Sequence, residues 1–260
     1  MSGKSATLVW MAMAEGVCLA GSGHLALDWF LLDLFVLATI YVPVERLFPR
    51  VPQPVVRDGF ATDLVHFFVN HVLVHLILLL AMLPATTLLG WARYEPLVRR
   101  VASQTLVLQI AEMVVVADVF QYGIHRLFHR VPLLWRIHAV HHSSKQLDWL
   151  AASRLHLVDI VTVRAVTFVP LFLGGFSDAA IRTYAVCVAA AGVFLHANVC
   201  FRFGALEKVV VTPRYHAFHH AADAEALDKN FAFHLPVIDR IFGTHYLPGE
   251  AWPKRYGIDG

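Results

Sequence analysis

The sequence predicts an all-α integral membrane protein, with about four to five transmembrane helices in hairpins and a cytosolic-face helical cap that carries a crowd of histidines. Three observations support this. Of 260 residues, 58% are hydrophobic and only 15% charged, well above the apolar share of a soluble globule. Several apolar runs reach the roughly 20 residues that a helix needs to cross about 30 Å of hydrocarbon. The histidines, 16 in all, crowd beyond the ends of those runs rather than along them.

The runs define the elements in order. Residues 25–44 are the first clear span, closing at VERLFPRVPQPVVRD, whose basic and proline-rich composition is that of an interfacial loop. Residues 6–20 are apolar but short, and with no convincing cleavage pattern after Lys4 they read as an interfacial or partial span. Runs 64–89 and 105–124 flank the polar segment WARYEPLVRRVASQ and form a hairpin. Runs 157–173 and 181–199, joined through GGFSDAA, form a tighter one. The loop before residue 64, the histidine-rich segment 125–156 and the tail from residue 200 therefore share one face. Arg46, Arg50, Arg57, Arg126, Arg130, Arg136, Arg202, Lys208 and Arg214 belong to that face, which the positive-inside rule assigns to the cytoplasm; Arg93, Arg99 and Arg100 oppose it from the other side. A formal charge of +2, with basic residues scattered singly or in pairs, excludes a nucleic-acid partner. Cys18, Cys187 and Cys200 sit in apolar stretches as small hydrophobes.

The histidines then fall into place on this frame. Asp118, Tyr122, His125 and His129 are spaced by four, three and four residues, so they share one face of a helix that continues out of the third long run. His138, His141 and His142 follow in HAVHH, and His216, His219 and His220 repeat the spacing in HAFHH. His196, in HAN with Asn198, arrives at the same face from the second hairpin. Isolated histidines in apolar helices are more often packed than metal-bound, and His24, His66, His234 and His245 are read as structural. His71 and His75 are an i,i+4 pair inside a span with nothing else in that run to join them, and are read as packing or channel residues. Two copies of HxxHH beside an HxxxH, each at a span end, are not accidents of composition and point to metal.

The zinc hydrolase pattern HExxH is absent, because Arg126 stands where its glutamate would be. A single zinc needs only about three protein ligands, which would leave most of these imidazoles idle. Nine nitrogens suit two metals with positions left open for oxygen. Imidazole binds iron, copper, nickel and zinc alike; a redox-active pair at the rim of a membrane bundle favours iron.

The motifs DVFQYGIHRLFH, HAVHH, RLHLVD, HAN, TPRYHAFHH and DKNFAFHLPVIDRIFGT resemble, in order and spacing, the fatty acid hydroxylase and sterol desaturase superfamily of membrane non-haem di-iron oxygenases. The resemblance covers residues 118–244. It implies a single membrane-embedded domain over 1–260, divided into N-terminal membrane helices (1–104), a catalytic region (105–246) and a C-terminal tail (247–260). It also implies two iron ions, O2 as co-substrate, and insertion of hydroxyl groups or double bonds into a lipid drawn from the bilayer. By motif position the implied ligands are His125, His129, His138, His141, His142, His196, His216, His219 and His220. Arg154, His156 and Asp159 match an element that more often reads RxHPxE, with leucine and aspartate as departures. Asp228, Asn230, Asp239, Phe242, Gly243 and Thr244 match the terminal motif, in which Phe231, Ala232 and Ile238 replace the usual tyrosine, glycine and tryptophan.

Ligand histidines normally give their other ring nitrogen to a carboxylate or carbonyl, and Asp118, Asp148, Asp159, Asp228 and Asp239 are candidates for that role. Tyr122, His156 and Asn198 are candidates for further contacts around the ligands. No HPGG-type haem segment of a fused cytochrome b5 domain is present, so the electron donor is expected to be a separate protein of cytochrome b5, ferredoxin or reductase type. Arg126, Arg130, Arg136 and Lys145 would offer it a basic surface. Two other classes compete: a bis-histidine haem protein using His71, His75, His125 and His129, and a metal transporter with histidines along its path. The first leaves both HxxHH clusters unexplained, and the second expects histidines distributed through the spans. Among substrates, a sterol, a carotenoid, a fatty acyl chain and an alkylglycerol all fit an apolar pocket.

Overall fold

The protein is described by a computed structural model that covers residues 27–258. Residues 6–20, Cys18 and His24 lie outside the described residues. Helices α1 (Leu27–Leu47), α2 (Phe60–Leu89), α4 (Leu106–Arg130), α6 (Leu157–Gly174) and α7 (Asp178–His196) occupy the five expected runs. Short helices α3 (Glu95–Ala102), α5 (Pro132–His142), α8 (Pro213–His219) and α9 (Pro236–Ile241) complete the set among the described residues. Among the described residues β-type pairing is limited to two isolated bridges, Pro49 with Val199 and Ala221 with Tyr256. Among the described residues, α4, α6 and α7 are long and apolar enough to cross a membrane.

The helix boundaries follow local chemistry. Thr105 caps α4 by accepting from the Leu108 N–H at 3.4 Å, and Ser177 caps α7 by accepting from Ala180 at 3.3 Å; both satisfy donors that the first turn leaves open. Pro96, Pro132, Pro213 and Pro236 stand in the first turns of α3, α5, α8 and α9, where a missing N–H costs nothing. The segment WARYEPLVRRVASQ, expected as a polar connection, thus contains a helix of its own. α6 ends at Gly175, which has φ 83° and lies so close to α3 that a Cβ would stand 2.5 Å from the Val98 Cα. Only glycine fits that turn. α7 ends at His196, three residues before the apolar run does.

α4, α6 and α7 pack around Met113, Ala117, Leu171, Ala180, Ile181 and Tyr184. Exposed side chains on α4, such as Val115, Val119 and Leu127, would face lipid. At one end of the bundle the loop after α1, the loop after α5 and the tail meet. Cys200 N–H donates to the Phe48 carbonyl at 2.9 Å, and Gln53 Nε2 to the Leu147 carbonyl at 3.0 Å. That junction is locked by buried ions: Arg57 bonds Asp148 through Nε at 2.8 Å and Asp63 through a terminal nitrogen at 2.6 Å, while Asp63 also receives Arg154. The three segments expected on one face are therefore at one end of the bundle.

Candidate metal centre

α4, running past the apolar stretch to Arg130, carries His125 and His129 out of the bundle. Pro132 starts α5 immediately afterward, and α5 brings His138, His141 and His142 back over the end of α4. α7 contributes His196 from its last residue. α8, capped by Thr212, brings His216 and His219, with His220 at its C-cap. The nine imidazoles form two groups: His125, His129, His138, His142 and His219 in one, His141, His196, His216 and His220 in the other. Within each group the ligand nitrogens all lie within 4.8 Å of one another. The groups adjoin, with the rings of His142 and His220 stacked 4.4 Å apart.

Hydrogen bonds fix the protonation of several rings. Nδ1 of His125 lies 2.9 Å from the Phe231 carbonyl, His141 Nδ1 3.1 Å from that of Arg154, His196 Nδ1 2.7 Å from that of Gly192, and His219 Nδ1 2.9 Å from that of Lys229. A carbonyl only accepts, so each of these Nδ1 atoms carries the proton and each Nε2 presents a lone pair. Yet His141 Nε2 and His196 Nε2 face each other at 3.2 Å, and His219 Nε2 is buried without a partner. Two lone pairs in that position repel unless a cation lies among them. A proton is not the answer on α5 and α8: burial first, and neighbouring imidazoles second, hold His138, His141, His142, His216, His219 and His220 well below the ordinary imidazole range. The donor set and its orphaned nitrogens fit metal ions.

Two carboxylates orient two further rings. Asp159 receives His138 Nδ1 at 2.6 Å, buried, and Asp228 receives His129 Nδ1 at 3.3 Å, nearer the surface. The His129 contact is the main cause that holds the Asp228 carboxyl below its usual range. The other polar candidates are engaged elsewhere. Asp118 accepts from the backbone N–H groups of Phe233, His234 and Leu235, and Asp239 from those of Phe231 and Ala232 and from the Tyr215 hydroxyl. These two carboxylates hold the chain that supplies the Phe231 carbonyl, one step removed from the imidazoles. Asp148 serves Arg57. Tyr122 pairs its hydroxyl with Thr244 at 3.0 Å and stacks on Phe242.

His156 is exposed and caps α6 by accepting from Val158 N–H, a position set by its place at a helix start. Asn198 bonds the Val51 backbone through both side-chain atoms. His234 bonds the Tyr184 hydroxyl, and His66 lies on the Leu155 carbonyl, both outside the two groups, as is His245. His71 lies 2.7 Å from the Phe67 carbonyl of its own helix; His125 and His129 both belong to the five-histidine group. The side chain of His75 lies outside the described residues. Four orienting groups are main-chain carbonyls, for which side-chain identity carries no signal.

Fold and site together define an integral membrane protein with a histidine-built candidate metal centre at one end of its helices. The chain belongs to the fatty acid hydroxylase family, whose profile matches residues 110–244. It is 32% identical over 152 residues to an ornithine lipid hydroxylase of Rhizobium tropici, covering 58% of this chain and 46% of that protein. It is 33% identical over 136 residues to the alkylglycerol monooxygenase of Homo sapiens, covering 51% and 29%, and 29% identical over 127 residues to that of Danio rerio, covering 49% and 28%. The chain thus spans less than half the length of these relatives. No solved structure matches it.

Proposed function

We propose that this protein is a membrane-bound oxidoreductase that hydroxylates or desaturates a lipid taken from the bilayer, or oxidises an ether lipid. Its two histidine groups would hold two iron ions, with the nine histidines as ligands, on the cytoplasmic face. The reading is carried by one observation: two adjoining sets of imidazoles, six of the rings held through Nδ1 by a carbonyl or carboxylate, bring their ligand nitrogens within 4.8 Å of one another in each set at one end of the apolar helices. The names of the relatives, a lipid hydroxylase and alkylglycerol monooxygenases, support a lipid substrate.

Iron bound there would supply the activation of O2, using two electrons per turnover to oxidise a substrate C–H bond. The chain supplies the rest. Neutral imidazoles leave the metal charge largely uncompensated, while Asp159, Asp228 and the four carbonyls prevent ring rotation. Phe231, buried, packs edge-on against His125, His129 and His219, and Phe128 stacks on His138, so that water is excluded on those sides. Arg130, Arg136 and Lys145 are exposed and would meet an acidic electron carrier. Arg126 is half-buried, donating to the Tyr122 hydroxyl at 3.1 Å.

Replacing His141 or His219 by alanine is expected to lower bound iron and abolish product while the protein stays in the membrane. Unchanged iron content and turnover in both variants would refute the assignment. Lipid mass spectrometry of cells with and without the gene then separates hydroxylation, a gain of oxygen, from desaturation, a loss of hydrogen.

A further inference from the structure

One turn inward from His125, a buried polar contact joins α4 to α6 apart from the imidazoles. Gln121 stands one helical turn before His125, is 8% exposed, and donates from Nε2 to Thr167 Oγ1 at 3.0 Å. The Thr167 hydroxyl gives its own proton to the Val163 carbonyl at 2.7 Å, so toward Gln121 it can only accept. That settles the amide: Nε2 faces Thr167 and Oε1 points away from it. Oε1 is buried and has no hydrogen-bond partner. Thr167 is itself 1% exposed and shares with Ile160 and Leu171 the buried stripe of α6, by their helical spacing. No water is at hand in a bilayer to satisfy an amide oxygen, which makes an unmet acceptor there costly.

We propose that Gln121, oriented by Thr167, is a substrate subsite whose Oε1 accepts a hydrogen bond from an O–H or N–H group of the lipid. This rests on the lipid-oxidising reading and narrows it. The substrate carries a hydroxyl or amide donor close to the oxidised carbon, because Gln121 lies only four residues, about 6 Å along the helix axis, from His125. A lipid that is pure hydrocarbon around its reacting carbon would gain nothing from the subsite.

The test measures binding without turnover, using the whole protein in nanodiscs. The probes are a 1-O-alkylglycerol and the same lipid with both hydroxyls methylated, compared by competition in native mass spectrometry. The wild-type protein is expected to prefer the hydroxyl-bearing lipid by roughly tenfold, the scale of one buried hydrogen bond gained or left unmade. Gln121→Leu should bring the preference near unity, and Thr167→Val, which removes the group that orients the amide, should reduce it in part. Equal binding of the two probes by the wild type, or an undiminished preference in Gln121→Leu, overturns the proposal. If Gln121→Leu fails to fold by thermal melt, Gln121→Met and Thr167→Val supply the same comparison. Iron content and product formation are measured separately, so failure of the subsite and failure of the enzymatic reading are distinguishable.

Discussion

Each imidazole at this centre is defined by what its far nitrogen touches, and the partners are unequal. Asp159 is buried and 2.6 Å from His138, whereas Asp228 is 3.3 Å from His129 with its side chain 57% exposed. Asp159→Ala is therefore expected to weaken metal binding by about 10–100-fold, and Asp228→Ala by less, measured by metal titration of the purified protein; equal losses would contradict this ranking. A second residue-scale prediction concerns acid. Burial holds His234 at about 4, below the ordinary value of about 6.5. Between those values the unfolded chain binds a proton that the folded chain refuses, so its contribution is complete above about 6.5 and is lost as pH falls toward 4. The difference is on the order of 3 kcal/mol. The melting temperature in detergent should fall over that window, and His234→Gln should shallow the decline; an identical profile in the variant would exclude His234 as a contributor.

Between elements, the buried ion network does what no single helix can. Asp63 in the first turn of α2 receives both Arg57 and Arg154, and Arg154 also supplies the carbonyl that orients His141. The network thereby joins α2, the loop after α1 and the connection from α5 to α6. Asp63→Ala would leave guanidinium groups without their shared buried partner, a type of change that costs about 3–5 kcal/mol. A melt of the purified variant should show that loss, and a change within the scatter of the wild type would mean the network is structurally idle. The tail acts similarly on α8. Trp252 and Tyr256 pack with Leu147, Ala151 and Ala217, and Arg50 lies over both aromatic rings at 5.5 and 4.6 Å.

For the whole molecule, the arrangement demands that widely separated parts of the chain emerge on one side of the membrane. In a cysteine-free background, Lys145→Cys and Glu250→Cys should react together with a membrane-impermeant maleimide, and only after the membrane is opened if that side is the cytoplasm. Trp91→Cys, exposed at the opposite end of the helices, should react from outside. Labelling of positions 145 and 250 from different sides would make a shared centre impossible.

Much of this was legible residue by residue. Length and hydropathy mark the helical runs, the three-and-four spacing of histidines marks their common face, and parity of crossings places the loop, the histidine segment and the tail together. The sequence by itself thus determined an all-helical membrane protein with its histidines gathered at one end. Only the tertiary structure decided how nine imidazoles divide into five and four, because that division depends on the angle at which α5 folds back over α4 and on where α8 docks. It also decided which carboxylates reach a ring: Asp159 and Asp228 do, while Asp118 and Asp239 are taken by backbone N–H groups. Side-chain chemistry names what can donate or accept, but packing alone decides which partner is within reach, and main-chain carbonyls carry no letter in the sequence.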